Sequence, residues 1–293
     1  MEDPGSTSDF WDANLYHEYH RERLRMFQSK QDIALHLSLD GVQLIVQKTH
    51  SMTPVILINL NLPPEIRYKL TNIMTFGIFP GPSEPKDLNS FLRPFVDELA
   101  ILETHGIQEA YDADSKKSFT LHTYTMLVTG DIKAVEKVIG MTGTNSRRPC
   151  RMCKIHGVIA LSSSGKKRLN YYPHTMQDVD VNKLQSHHNL RKTIMDVCFA
   201  NNEELRKETG IRSQSILLEL RALHFPRSFP YDTMHLIFLN IVKNTFKLWT
   251  GEWSIDVTEK KEYILGEDVL DDIGTAMREV RFVRNPSHIS CIF

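Results

Sequence analysis

The stretch Ile33-Ala-Leu-His-Leu-Ser-Leu-Asp-Gly41 alternates apolar side chains with smaller or polar ones. An apolar residue at every second position predicts a β-strand with one face toward a core. The apolar face would consist of Ile33, Leu35, Leu37 and Leu39. The strand is expected to end at the carboxylate of Asp40, and Asp40-Gly41 is a turn signal.

Two further β-rich runs follow, Val42–Val46 and Val55–Leu60. Branched apolar residues favour strands, and a turn at Asp40-Gly41 would connect the first two of them. These runs therefore predict a three-stranded antiparallel meander. The proline- and glycine-rich segment Phe79–Pro85 closes it.

A helix and another strand are predicted next. Asp87 can cap a helix that continues to about Glu103, with apolar residues at helical spacing. Phe119–Val128 is rich in Thr, Tyr, Leu and Val and leads directly into Gly130-Asp131. A short helix is predicted over Ile132–Ile139. The element order is β-β-β-α-β-α, and a second carboxylate follows the end of a second strand.

Asp40 and Asp131 therefore have two interpretations. Phosphodiester cleavage by a two-metal mechanism requires carboxylates on rigid strands, and such oxygen ligands suit Mg²⁺ or Mn²⁺. Taken singly, however, an Asp before Gly is usually a turn former, and an Asp that opens a helix is usually a cap. Spacing alone favours the structural interpretation.

Composition excludes several classes of protein. The 293 residues include 35 basic and 36 acidic side chains, so no overall positive charge indicates nucleic-acid binding. No run approaches the roughly 20 apolar residues of a membrane span, and residues 1–27 lack a signal-peptide core. Two of the four cysteines form Cys150-Arg-Met-Cys153, a spacing typical of metal binding or redox chemistry.

Five segments together resemble the successive blocks of one transposase family. They are Asp32–Gly41, Asn61-Leu-Pro-Pro-Glu-Ile-Arg67, Thr129-Gly-Asp-Ile132, Pro149-Cys-Arg-Met-Cys-Lys154 and Ser228-Phe-Pro-Tyr-Asp-Thr-Met-His235. In this order they resemble the CACTA (En/Spm) superfamily, in particular the Tnp2 type of basidiomycete fungi. Five ordered blocks are far more specific than any single one.

The resemblance implies a fold and a division of the chain. The fold class is α/β, a ribonuclease-H-like mixed sheet with a mainly helical, zinc-containing insertion, here truncated. A polar lead-in over residues 1–31 would precede the first part of the catalytic core at 32–142. The insertion would occupy residues 143–255, and 256–293 would be an incomplete C-terminal segment.

The resemblance also implies roles for the two aspartates. Asp40 and Asp131 match the first two members of a catalytic three-acid set that binds Mg²⁺ or Mn²⁺. The third member would be a Glu on a late helix, but no Glu after His235 falls in a recognisable block. Metal-dependent cleavage and strand transfer at transposon ends is therefore the ancestral activity, and this fragment is expected to be inactive.

A structural Zn²⁺ is implied at Cys150 and Cys153, which provide half of a tetrahedral site. The usual late pair of spaced histidines is absent, so the other ligands are not assigned. His156 is more readily a surface residue. For His235, zinc ligation, a hydrogen bond with Asp232 and active-site support all remain open.

The expected partner is DNA at transposon ends, and the expected location is the nucleus. Basic clusters near the cysteine pair, including Arg147-Arg148, Arg151 and Lys154, would neutralise phosphates or simply be solvated. A homo-oligomer remains open. The alternative function is a non-catalytic, zinc-binding nuclear scaffold or DNA-binding protein domesticated from a transposase. Later helices are predicted at Asn202–Glu208 and Met234–Trp249, the second with an apolar face buried in the core.

Overall fold

A computed structural model describes residues 9–39, 41–43, 51–81, 85, 87–144, 146–161, 165–170, 189–252 and 263–279. Its strands are β1 (Ile33–Leu39), β2 (Val42–Gln43), β3 (Ser51–Asn59), β4 (Ile73–Pro80), β5 (Ile107–Asp112), β6 (Lys117–Leu121), β7 (Thr123–Gly130), β8 (Val158–Leu161) and β9 (Lys167–Asn170). Its α-helices are α1 (Pro64–Arg67), α2 (Leu88–Thr104), α3 (Ile132–Val138), α4 (Leu190–Ala200), α5 (Glu203–Thr209), α6 (Lys243–Trp249) and α7 (Glu267–Glu279).

The central sheet is mixed. β3 pairs antiparallel with β1 and, on its other side, with β4. β7 pairs with β1 in parallel, with Leu39 opposite Gly130 at the end of the ladder. The mixed α/β class predicted from the sequence is thus present, and the parallel pair found among the described strands joins the two strands that were expected to precede Asp40 and Asp131.

The predicted meander is wrong in its details. Leu39 pairs with Val55 and Val42 pairs with Met52, so β1 and β2 keep one register against β3. The chain therefore does not reverse direction between Leu39 and Val42. Asp-Gly favours a turn only locally, and the pairing of both flanking strands with β3 overrides that preference. The third antiparallel strand is β4, which the sequence analysis missed.

The predicted strand Phe119–Val128 is in fact two strands. β6 pairs with β5 in a separate hairpin, whereas β7 belongs to the central sheet. His122 separates the two strands. Periodicity did not reveal this division because Thr, Tyr and Leu suit both strands equally well.

Helix α2 covers one face of the sheet, and its predicted cap and boundaries are confirmed. The side chain of Asp87 accepts a hydrogen bond from the backbone N–H of Asn89. Phe95, Val96 and Leu99 on the inner side of α2 are buried. They share one hydrophobic cluster with β1, β7 and α3, and this cluster continues beyond residue 142 to include Ile194 and Phe229.

The N-terminal segment covers the opposite face of the sheet. Over residues 9–31, the expected polar lead-in is packed against the fold. Asp9 forms a bidentate ion pair with the buried Arg67, with both N···O distances at 2.7 Å. The Trp11 indole donates a hydrogen bond to the Leu60 carbonyl at 3.0 Å, and His20 bonds the Ala222 carbonyl at 2.8 Å. A second cluster containing Tyr16, Phe27, Tyr124 and Met126 fills this layer.

The predicted helices of the second half occur, but one of them differs in burial. The helix predicted at Asn202–Glu208 is α5, and Asn202 is its N-cap. The helix over Met234–Trp249, a π-helical segment at Met234–Val242 followed by α6, was expected to bury an apolar face. Phe238 and Ile241 on that face are instead more than half exposed. Helical spacing identifies an apolar stripe but does not specify what covers it.

None of the helices in the described part of the chain is long and apolar enough to cross a membrane.

Candidate active site

The C-terminal ends of β1 and β7 lie side by side. A Cβ atom on Gly130 would overlap the carbonyl oxygen of Leu39, so glycine is required for this close approach. Asp131 follows Gly130 directly. Asp40, which follows Leu39 in the sequence, lies outside the described residues.

Asp131 begins α3 as its N-cap. Its Oδ1 accepts a hydrogen bond from the backbone N–H of Ala134 at 2.6 Å. The side chain is half-buried. Because an ionised carboxylate offers about four lone-pair sites on two oxygens, one capping bond leaves capacity for a further ligand. Capping and metal binding are therefore compatible at this position.

Asp131 lines a cleft with a volume of about 540 Å³. The walls come from the ends of β1 and β7, the start of α2, α3 and the loop after α5. Charged residues of both signs contribute side chains, namely Asp87, Asp131, Lys133, Lys137 and Arg212. A cleft with carboxylates beside cations suits a bound metal ion and an anionic substrate together.

Asp87 was predicted only as a helix cap, and its position in the cleft was missed. Its carboxylate accepts hydrogen bonds from the Asn89 N–H at 3.1 Å and from the Ser90 hydroxyl. The Ser90 bond is the main cause that holds the pKa of Asp87 below its ordinary value. No spacing rule connects Asp87 with Asp131, because only the folded sheet brings the starts of α2 and α3 to one cleft.

The pair Cys150 and Cys153 forms a compact turn. The Cys150 Sγ accepts hydrogen bonds from the backbone N–H groups of Met152 and Cys153, both at 3.3 Å, and lies 3.4 Å from the Tyr231 hydroxyl. Burial of Cys150 opposes its thiolate, but these hydrogen bonds, first that of Tyr231, outweigh it and lower the pKa. Thiolate is the form that binds metal ions.

Arg151, between the two cysteines, is buried rather than a surface cation. Its guanidinium donates hydrogen bonds to the carbonyl oxygens of Phe229 at 2.7 Å and Pro230 at 2.8 Å. It also stacks 3.8 Å from the centre of the Tyr231 ring. Arg151 therefore does not contribute to a phosphate-binding surface, one of the two interpretations of its basic cluster.

The segment that Arg151 holds runs beside β7. The backbone N–H of Val128 donates to the carbonyl oxygen of Ser228 at 2.8 Å. Val128 lies two residues before Gly130. The cysteine turn is thus joined to the strand that precedes Asp131 through Arg151 and residues 228–231.

The candidate zinc ligands are not gathered into a set. His235 Nδ1 lies 2.8 Å from Asp232 Oδ2, one of the arrangements expected from the sequence, and His156 is exposed. Within the described ranges, no group of three or more His, Cys, Asp or Glu side chains could hold a metal ion. The two thiols suit zinc, but the described residues do not complete four ligands around them.

Glu136 is a buried carboxyl group on α3 that sequence reasoning missed. It accepts a hydrogen bond from the backbone N–H of Thr144 and faces Arg151. Burial raises its pKa to about 7, the charge of Arg151 opposes this rise, and Asp131 adds to it. Glu136 connects α3 to the loop that leads to the cysteine turn.

Comparison with known families agrees with this architecture. Residues 5–223, about three quarters of the chain, match the transposase family tnp2. Among curated proteins there is no significant match. The match includes the N-terminal layer, the central sheet, the cleft and the cysteine turn. The chain therefore belongs to the transposase family tnp2.

Proposed function

We propose that this chain carries the first part of a metal-dependent DNA cleavage and strand-transfer centre that acts at transposon ends. Asp40 and Asp131 would hold Mg²⁺ or Mn²⁺ as the first two carboxylates of a three-acid set. The parallel pairing of Leu39 with Gly130 carries the proposal, because these residues immediately precede the two aspartates. Membership of a transposase family supports DNA as the substrate.

The sheet supports a ribonuclease-H-like assignment. Its order runs from β4 through β3 and the β1–β2 line to β7, with antiparallel pairs followed by one parallel pair. Such an arrangement brings the ends of β1 and β7 to the same edge. Strand pairing fixes the backbone that leads directly into Asp131, which favours precise metal geometry.

The residues present suit a hard divalent cation. Asp131 provides carboxylate oxygens at the cleft, and the Ala134 N–H fixes the orientation of one of them. When bound, the ions would stabilise the attacking and leaving oxygens of phosphodiester cleavage. The protein's own contribution is to orient Asp131 through the α3 cap and to position the DNA backbone in the cleft.

Metal binding tests the proposal directly. We expect Mn²⁺ to bind the purified chain, as followed by electron paramagnetic resonance, and Asp131→Asn or Asp40→Asn to weaken that binding at least tenfold. Glu219→Gln, a change at an exposed carboxylate on another segment, is the matched control. Mn²⁺ affinity that is unchanged in both aspartate variants would refute the assignment.

Activity provides a second test. Because no third carboxylate is assigned, we expect residues 1–293 neither to nick nor to join transposon-end DNA in Mg²⁺ or Mn²⁺. A chimera completed with N- and C-terminal regions of an intact relative should cleave those ends, and Asp131→Asn should abolish the cleavage. Cleavage by the 293-residue chain that survives Asp131→Asn would contradict both parts of the proposal.

The second candidate function is a nuclear, zinc-binding scaffold without catalysis. The cysteine turn favours it, because the Cys150 Sγ is already surrounded by two backbone N–H donors and the Tyr231 hydroxyl. A scaffold would retain zinc and DNA binding while losing Mn²⁺ binding at Asp131. The metal titration therefore separates the two candidates.

A further inference from the structure

We propose that Lys133, Lys137 and Arg212 form a phosphate-binding wall that holds the DNA backbone beside Asp131. The inference rests on the proposed function and deepens it by naming the residues that position the substrate. All three side chains line the cleft that contains Asp131, and all three are exposed to solvent.

Two of the cations belong to the helix that Asp131 itself begins. Lys133 and Lys137 are four residues apart on α3, so they lie on one face of the helix. Lys133 is only two residues from Asp131. A substrate phosphate held by this face would therefore lie close to the carboxylate rather than at a remote surface.

The third cation is fixed to the same platform by backbone contacts. The N–H of Arg212 donates to the carbonyl oxygen of Gly140 at 2.7 Å, and Ser213 donates to the same oxygen at 3.1 Å. Met141 forms an isolated bridge with Ile211. Because Gly140 lies just beyond the end of α3, these bonds fix the backbone of Arg212 relative to the helix that carries the two lysines.

The local charge contrasts with that of the whole protein. The net formal charge is −1, so nonspecific attraction of DNA to the entire surface is weak. The lining of the cleft has three cations and two carboxylates, a formal charge of +1, and the three cations would direct the DNA backbone to one place. Lys133 and Lys137 are separated by about 6 Å along the helix axis, which favours a chain of successive phosphates over a single phosphate ion.

The wall would position DNA without reading its sequence, because phosphate contacts carry no base information. Lysine and arginine also act differently: the ammonium groups are point charges, whereas the Arg212 guanidinium can hold one phosphate through two hydrogen bonds. Arg212→Lys should therefore weaken binding even though the charge is kept.

Salt dependence of duplex binding tests the wall. Fluorescence anisotropy would compare the wild type with the triple variant K133Q/K137Q/R212Q from 50 to 200 mM salt. Affinity falls as salt rises, and each lost phosphate contact reduces the magnitude of the slope of log affinity against log salt by about 0.9. We therefore expect the triple variant to lose about 2.7 in slope and single variants to lose about 0.9.

A charge-matched control removes three cations elsewhere. Lys192, Lys207 and Arg278 are exposed on α4, α5 and α7 and do not line the cleft. K192Q/K207Q/R278Q should keep the wild-type slope. Thermal melting by circular dichroism checks folding, and Lys133→Gln alone is a milder variant if the triple change melts early.

Several outcomes would overturn the inference. The first is an equal salt slope for the triple variant and its control. The second is no duplex binding by the wild type at 50 mM salt. The third is that inorganic phosphate competes as strongly as unlabelled DNA at the same phosphate concentration. Failure of the metal site would give a different result. Asp131→Asn would then leave Mn²⁺ affinity unchanged, while the wall variants would still bind duplex DNA more weakly than the wild type. If Asp131→Asn weakens Mn²⁺ binding but the wall variants bind duplex DNA as the wild type does, only the phosphate-binding wall is refuted.

Discussion

Leu39 and Gly130 approach each other so closely that the carbonyl oxygen of one occupies the place where the other would carry a side chain. They are also the last paired residues of the parallel ladder between β1 and β7. The sequence therefore needs glycine immediately before Asp131 for a geometric reason. The Gly-Asp pair is one unit in which the glycine sets the spacing of the strand that leads to the carboxylate.

Substitution at Gly130 should separate the two strand ends. We expect Gly130→Ala to lower the free energy of unfolding by about 1–3 kcal/mol, because the added methyl group must displace the Leu39 backbone. Urea denaturation measures the change. Gly77→Ala in β4 is the control, since a Cβ there meets no atom within 4 Å. Equal stability of both variants would contradict the close approach.

Two substitutions at Asp131 should separate helix capping from metal binding. Asn caps helices about as well as Asp, whereas Ala does not. The free energy of unfolding of Asp131→Asn should therefore lie within about 0.5 kcal/mol of the wild-type value. That of Asp131→Ala should be lower by about 1 kcal/mol, because the hydrogen bond from the Ala134 N–H is lost. Chemical denaturation and Mn²⁺ titration are measured on the same samples. A stable Asp131→Asn protein with full Mn²⁺ affinity would leave Asp131 as a cap only.

Cysteine substitution should reveal whether the Cys150–Cys153 turn holds zinc. We expect the purified protein to contain bound Zn²⁺, and Cys150→Ser to reduce both zinc content and melting temperature, because structural zinc contributes folding free energy. Elemental analysis and thermal melting provide the data. Cys198→Ser, at a half-buried thiol on α4, is the matched control. Wild-type protein that is fully folded but contains no zinc would contradict the predicted zinc site.

The buried Glu136 should make stability depend on pH. Its pKa rises from 4.5 when exposed to about 7 in the fold, so the folded state binds more protons between these values. Its contribution to the free energy of unfolding is therefore intact below about pH 4.5 and falls as pH rises to about 7. We expect Glu136→Gln to be more stable than the wild type at pH 8, with little difference at pH 4.5.

Two buried histidines act in the opposite direction over part of this range. Burial lowers the pKa of His20 and of His36 to about 4, so their stabilising contribution is lost as pH falls below about 6.5. Because both histidines are present in the wild type and in Glu136→Gln, the difference between the two unfolding curves isolates Glu136. A difference that is independent of pH would show that Glu136 titrates normally.

The sequence predicted local elements well where one signal was strong. Asp87 was recognised as a helix cap, and it accepts the expected backbone hydrogen bond. Pairing was predicted less well, since Asp40-Gly41 favours a local turn while the register of β1 and β2 keeps the chain direction. β4 was missed because Gly77 interrupts a run that is apolar on both faces, leaving no alternation to detect.

The site was partly predictable for the same reason. Asp131 could be proposed because it stands at a strand end within a recognisable motif. Asp87 and Arg212 join it only through the packing of α2, α3 and the loop after α5. This packing brings together residues that are far apart in the sequence. The buried state of Arg151 depends on carbonyl groups 78 and 79 residues away. Basic composition alone cannot distinguish a buried arginine that binds backbone carbonyl groups from a surface arginine that binds phosphate.

The N-terminal layer has a practical consequence for work on this protein. Asp9, Trp11 and His20 fasten it to Arg67, Leu60 and Ala222, and its aromatic side chains lie over Tyr124 and Met126. A shortened version starting at residue 32 would remove the carboxylate partner of Arg67 and expose an apolar surface of the sheet to water. Recombinant versions intended for DNA or metal assays should therefore begin before Asp9, because trimming there would produce aggregation that imitates loss of function.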